Sequence, residues 1–199
     1  MPAGVTVAAV SASFALGLLA KALTVSGRRK APVDRRAKLE PLAAAAEAAS
    51  RRMLQLAGDD SAAFEAYLAG ARLPRATDCE RQKRRQALDS AVRQAIDLPL
   101  AAAREAAAGL RLCLDACPLT HLALIADLGA AASLLACGLR VFLLCAESNV
   151  RLLAPEASAY RELLASEIDR RDRALHHAQT VLAHVAAALE AAAAADRGP

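Results

Sequence analysis

Residues 122–153 read LALIADLGAAASLLACGLRVFLLCAESNVRLL, and their pattern decides the fold class. Apolar side chains occupy nearly every face at helical spacing and no period-two alternation runs through them, so the segment reads as one long helix surrounded by others. A helix that is apolar all round belongs in the middle of a bundle or of a bilayer. Asp127 and Arg140 interrupt this one, and each costs about 2.5–3.5 kcal/mol near a bilayer centre, which favours the bundle. Gly129 and Gly138 mark points where the helix bends or admits a close neighbour.

Working outward, the flanking segments all read as helices. Residues 5–26 form the first, with Gly27 as its stop. Residues 35–57 form the second, with Leu39, Leu42, Ala46, Ala49, Met53 and Leu56 on one face and Gly58 as its stop. Asp59 and Asp60 then cap a short helix carrying Ala63, Phe64, Tyr67 and Leu68. Leu73-Pro74 breaks the chain, and Thr77 with Glu80 has capping-box spacing. The helix that follows buries Ala87, Leu88, Ala91, Val92, Ala95 and Ile96. Pro99 starts another, in the first turn where proline is tolerated. Thr120 caps the central segment. After Pro155 comes an amphipathic helix through Leu163, Ile168, Leu175, Leu182, Val185 and Leu189. The expectation is a single all-α domain over residues 1–190, a bundle of about seven or eight helices, with a frayed tail over residues 191–199.

Composition agrees. Of 199 residues 56% are apolar but only 3% aromatic, with no tryptophan, so the interior rests on alanine and leucine, both strong helix formers. The net charge of +4 is mild, and its two basic clusters, Arg28-Arg29-Lys30 and residues 81–85, carry no interleaved aromatics. They read as solvated faces, and no nucleic-acid partner is expected. Five cysteines (Cys79, Cys113, Cys117, Cys137, Cys145) form no metal-ligand pattern; they read as free thiols of a reducing compartment, with no metal expected. Residues 5–20 are apolar without a basic stretch before them, so neither a leader nor a membrane span is expected, and the location expected is cytoplasmic.

Several strings, in order along residues 2–150, resemble the cyclodeaminase/cyclohydrolase family, found as the C-terminal half of formiminotransferase-cyclodeaminase and as stand-alone methenyltetrahydrofolate cyclohydrolases. Pro2-Ala3-Gly4-Val5-Thr6-Val7-Ala8-Ala9 resembles that family's proline, triple glycine, serine and valine opening. Asp60-Ser61-Ala62-Ala63-Phe64 is similar to its Asp-x-x-Ala-Phe. Leu73-Pro74, Arg84 and Leu98-Pro99-Leu100 follow at matching spacing. Ile125-Ala126-Asp127-Leu128-Gly129 resembles its Ile-Ser-Asp-Ala-Gly, and Leu139-Arg140 and Asn149 match the segment closing its site. Departures are equally visible. One glycine of three remains, His121 and Ala123 stand where the family has asparagines, and Cys145 and Glu147 replace an asparagine and a usually basic residue.

The resemblance implies an all-α homodimer acting on a tetrahydrofolate one-carbon derivative. A methenyl bridge is a cationic amidinium carbon, so its hydrolysis needs a positioned water, a proton acceptor and a carboxylate facing the cation. Asp127, the first acid within the central apolar run, is the expected catalytic carboxylate. His121 is the expected general base, in the position of a family asparagine. Gly4, Thr6, Arg140 and Asn149 are the expected substrate-binding residues, with the turn at residues 3–6 approaching Asp127 across a cleft. Arg140, Leu144, Glu147 and Arg151 share one helix face, either a pocket wall or a polar interface stripe, with Glu147 and Arg151 at ion-pair spacing. The alternative to a divergent folate enzyme is a catalytically degenerate dimer that acts as a binding or scaffold subunit.

Overall fold

A computed structural model of the chain describes residues 4–28, 33–152 and 158–196. Among these residues there are five α-helices and no strand: α1 (Gly4–Arg28), α2 (Val33–Ala71), α3 (Asp78–Ala116), α4 (Ile125–Val150) and α5 (Ser158–Asp196), with two short 3₁₀ turns between α3 and α4. The all-α expectation holds. The expected count of seven or eight is corrected to five, because two expected breaks are absent. Gly58 lies inside α2; a mid-helix glycine costs about 1 kcal/mol relative to alanine, less than the buried stripe on either side contributes. Pro99 lies inside α3 rather than starting a helix. The Thr77–Glu80 capping box does open α3, with Glu80 N–H donating to Thr77 Oγ1 at 3.3 Å and Thr77 N–H to Glu80 Oε2 at 2.9 Å.

Thr120 does not cap α4. Its hydroxyl donates back to Ala116 O, and a 3₁₀ turn at Leu122–Leu124 precedes Ile125. The tail expected to fray stays helical through Asp196; residues 197–199, like Pro2, Ala3, Leu153 and Pro155, lie outside the described residues.

Contacts set the topology. Ser13 bonds Ser50, Arg52 bonds Glu105 and Lys21 meets Asp127, so α1 to α4 run alternately up and down in a closed ring. The fifth helix, α5, lies along α3 and α4. Alanine makes the α1–α4 approach close: Ala9, Ala12, Ala15 and Ala22 are fully buried, and Ala12 Cβ lies 3.7 Å from where a Cβ on Gly138 would stand. The expected apolar stripes of α2 and α3 face this core. On α5 the buried line runs Leu164, Glu167, Ala174, Ala178, Val181, Val185, which brings a carboxylate inside. Segments Gly4–Arg28, Leu122–Val150 and Ser158–Ala195 are long and apolar enough to cross a membrane; in the first two, 50% and 56% of the most apolar window is buried within the bundle.

Gly109 is the tightest point. A Cβ there would stand 2.9 Å from Leu16 Cδ2 and 3.0 Å from Leu135 Cδ1, both on fully buried leucines. Overpacking costs about 1–3 kcal/mol and alanine regains about 1 kcal/mol of helix propensity. Gly109→Ala is therefore expected to destabilise by about 1 kcal/mol, read as a lowered urea midpoint with unchanged slope.

Candidate functional site

The first turn of a helix presents N–H groups with no partner in the helix and carries the positive end of its dipole. At the start of α1 these groups are met by a side chain from α2. Thr6 N–H donates to Asp60 Oδ2 at 3.1 Å, and Thr6 Oγ1 donates to the same oxygen at 2.6 Å. Asp60 is only 8% exposed, and Oδ1 stays outside this pair of bonds. The carboxylate thus pins two helices through one oxygen and lines, with Gly4, a cleft of about 350 Å³. That volume is at the small end of ligand pockets.

Opposite Asp60 stands Asn149, and Pro99 explains why. Proline has no N–H, so the carbonyl four residues earlier in its helix loses its partner. That carbonyl is Ala95 O, and Asn149 Nδ2 donates to it at 2.7 Å. The expected helix start at Pro99 is thus an interior proline whose freed acceptor anchors a polar side chain in the cleft wall. Two aromatics complete the site: Phe64 and Tyr67 line it from α2, 46% and 40% exposed. In a chain with three phenylalanines and two tyrosines, two aromatic rings half open to one cleft offer stacking surfaces for a planar ligand.

Cys145 closes the cleft beside Gly4, its Sγ 3.4 Å from where a Cβ on Gly4 would be. Burial and then the nearby Asp60 charge push its thiol pKa up; burial pushes Cys113 up to about 12. Thiolate is the reactive form. Iodoacetamide at neutral pH is expected to label exposed Cys79 first and Cys145 slowly. Asp60→Asn is expected to quicken labelling of Cys145 by removing one of the two causes, with mass spectrometry of tryptic peptides as the readout.

The residues expected from sequence divide into two groups. Gly4 and Asn149 line the cleft and Thr6 holds Asp60 in it. Asp127 and His121 stand at the opposite end of the bundle, which corrects the expectation that the turn at residues 3–6 faces Asp127. Asp127 pairs with Lys21 at 3.1 Å, and Lys21 lies about 25 Å along α1 from Gly4 at 1.5 Å per residue. His121 caps the 3₁₀ turn, its Nδ1 accepting from Ala123 N–H while its backbone N–H donates to Ser26 Oγ. Arg140 is on the exposed flank of α4 and, among the described residues, donates to Ala136 O at 3.4 Å. Glu147 and Arg151 form the expected pair, at 2.6 Å.

Asp60 carries a signal of its own in the sequence. It continues the Ala46, Ala49, Met53, Ala57 spacing on the buried face, and reading Gly58 as a stop hides that continuity. Among the described residues no three His, Cys, Asp or Glu side chains group closely enough to hold a metal ion.

The structure is thus an all-α bundle with an end cleft that combines a carboxylate, an amide and two aromatic faces. The chain belongs to the formiminotransferase-cyclodeaminase family, whose sequence profile matches residues 1–170, and the type to which the family points is the folate-related cyclodeaminase/cyclohydrolase. Its fold is that of the formiminotetrahydrofolate cyclodeaminase of Thermotoga maritima: the two superpose with a TM-score of 0.77 over 96% of this chain and 89% of that one, at 19% sequence identity. No curated protein matches the chain.

Proposed function

We propose that the chain binds and converts a tetrahydrofolate one-carbon derivative of the methenyl or formimino type in the cleft between Asp60 and Asn149. The observation that carries this reading is the buried Asp60 carboxylate beside two open aromatic faces. Water adding to the methenyl carbon, followed by cleavage of one C–N bond, yields the formyl derivative and releases one proton. In the protonated formimino form, attack of the second bridging nitrogen on the same carbon, transfer of its proton to the departing nitrogen and loss of ammonia lead to the same methenyl cation. In both directions a fixed carboxylate facing the bridge stabilises the charged species without reorganising solvent. Phe64 and Tyr67 stack on the ligand's rings, and Asn149 offers its amide oxygen to a ring N–H. Gly4 keeps the α1 end of the cleft low, and Thr6 positions Asp60.

The cleft is open, with Val5 in its wall packed down to 4% exposure, which supports ligand entry. The second reading, a binding or scaffold subunit without turnover, draws support from Cys145 beside Gly4 and from Glu147 tied to Arg151. Calorimetric titration with methenyltetrahydrofolate, followed by decay of its absorbance, tests both: binding with accelerated decay carries the enzyme reading, binding without it the scaffold reading, and neither rejects the cleft as a folate site.

The reading also includes a cytoplasmic homodimer. Val7 on α1 and Leu134 on α4, 55% and 43% exposed, line a shallow groove with Ala8 and Gly138, and Phe14 and Leu144, 73% and 67% exposed, follow seven residues after Val7 and Cys137 on the same helix faces. So much apolar surface on one face suits self-association about a two-fold axis. Phe14→Glu is expected to convert a sedimenting dimer to a monomer with its helix content intact, since so exposed a ring adds little to the core.

A further inference from the structure

Away from the cleft, between α3 and α5, Arg104, Arg170, Arg173 and His177 line a second hollow of about 280 Å³. Two of these arginines share one buried acid: Glu167, 3% exposed, takes Arg104 Nε on Oε1 at 2.7 Å and Arg170 Nε on Oε2 at 3.1 Å. That carboxylate holds the two guanidiniums in place. Among the described residues Arg104 donates through Nε, which leaves its Nη groups available. Arg173 has no acidic partner among the described residues. Three guanidiniums against one carboxylate leave the hollow with two positive charges in excess. His177 also lines the hollow, and among the described residues its Nδ1 is buried without a hydrogen-bond partner, a cost that a small shift of the ring toward a bound ligand relieves.

We infer that this hollow binds a small oxyanion group, a phosphate or a carboxylate, independently of any folate in the cleft. Fixed guanidinium forks match such groups in geometry as well as charge, and the orphaned imidazole nitrogen supplies one more polar contact. The charged groups around that imidazole are Arg104, Arg111 and Asp115 on α3, with Arg111 and Asp115 paired to each other, and Arg170, Arg173 and His176 on α5. Burial first, and then Arg111, hold His177 below the usual histidine range. A bound anion's charge opposes that of Arg111 and favours the imidazolium, so the His177 titration moves to higher pH on saturation.

The test titrates the full chain with inorganic phosphate and, separately, with succinate, following the histidine ring signals by NMR. Saturable binding of either anion is expected, with the His177 titration midpoint rising, and the tighter of the two identifies the preferred group. Arg173→Ala is expected to weaken binding about tenfold or more, the scale of one charge-assisted hydrogen bond. Arg93→Ala removes the same charge from an exposed position outside the hollow and is expected to leave affinity unchanged. No saturation with either anion overturns the inference, as does equal weakening by the two variants, which marks a diffuse surface field. Circular dichroism of both variants confirms that each is folded; a failure confined to Arg173→Ala is resolved with Arg173→Gln, which keeps the stem and removes the charge.

Discussion

Asp60→Asn is expected to lower the rate of methenyltetrahydrofolate hydrolysis by about two to three orders of magnitude, the scale seen when one preorganised electrostatic group is removed from a transition state. The substitution is nearly isosteric, and the amide oxygen it introduces still accepts from Thr6, so α1 keeps its cap and the fold survives at a cost of about 0.5–1 kcal/mol. Lost charge, rather than lost shape, is what the assay then reads. Asp127→Asn is the matched comparison. Its carboxylate is 31% exposed, pairs with Lys21 and sits at the far end of the bundle, so the wild-type rate is expected. The reverse pattern, full activity in Asp60→Asn and loss in Asp127→Asn, returns the chemistry to the other end of α4 and rejects the cleft. Accelerated hydrolysis that neither variant alters removes both carboxylates from the mechanism.

The largest stability effect is expected at Glu167. Its carboxylate is 3% exposed and receives Arg104 and Arg170, whose side chains are 45% and 50% exposed. Removing both arginines leaves a buried, uncompensated charge, for which the expected cost is about 3–5 kcal/mol. Replacing the acid itself by methionine removes the charge and fills the space, and such exchanges are often neutral or stabilising. Urea unfolding of Arg104→Ala/Arg170→Ala beside Glu167→Met therefore separates a buried carboxylate that needs its partners from a merely packed side chain. Similar midpoints for the two variants would show that the arginines neutralise little.

Some of this was readable from residues alone. The all-α class followed from the alanine–leucine composition and the 3.6-residue periodicity, because every segment had to bury one face and none alternated as a strand does. The capping box at Thr77 and Glu80 and the ion pair of Glu147 with Arg151 were also legible, since both depend on partners three or four residues away. Helix boundaries were not. Gly58 and Pro99 are local breakers, and whether a breaker wins depends on what the helix around it packs against. In α2 the buried stripe runs on through Asp60 to Ala63; in α3 the carbonyl that Pro99 strands is satisfied by Asn149, 54 residues further on.

The same distinction governs the site. Gly4, Thr6 and Asn149 were picked out from local strings, but which carboxylate they share could be decided only by the bundle. Asp127 looked exceptional because it interrupts an apolar run, yet the antiparallel packing of α1 on α4 turns it toward Lys21. Asp60 looked like an ordinary cap because its partner, Thr6, is 54 residues away in the chain. Sequence by itself determined what repeats within a few residues: helix, amphipathic face, local cap. Tertiary structure decided which helix end meets which side chain, because that choice belongs to packing across four helices, and no spacing along one of them records it.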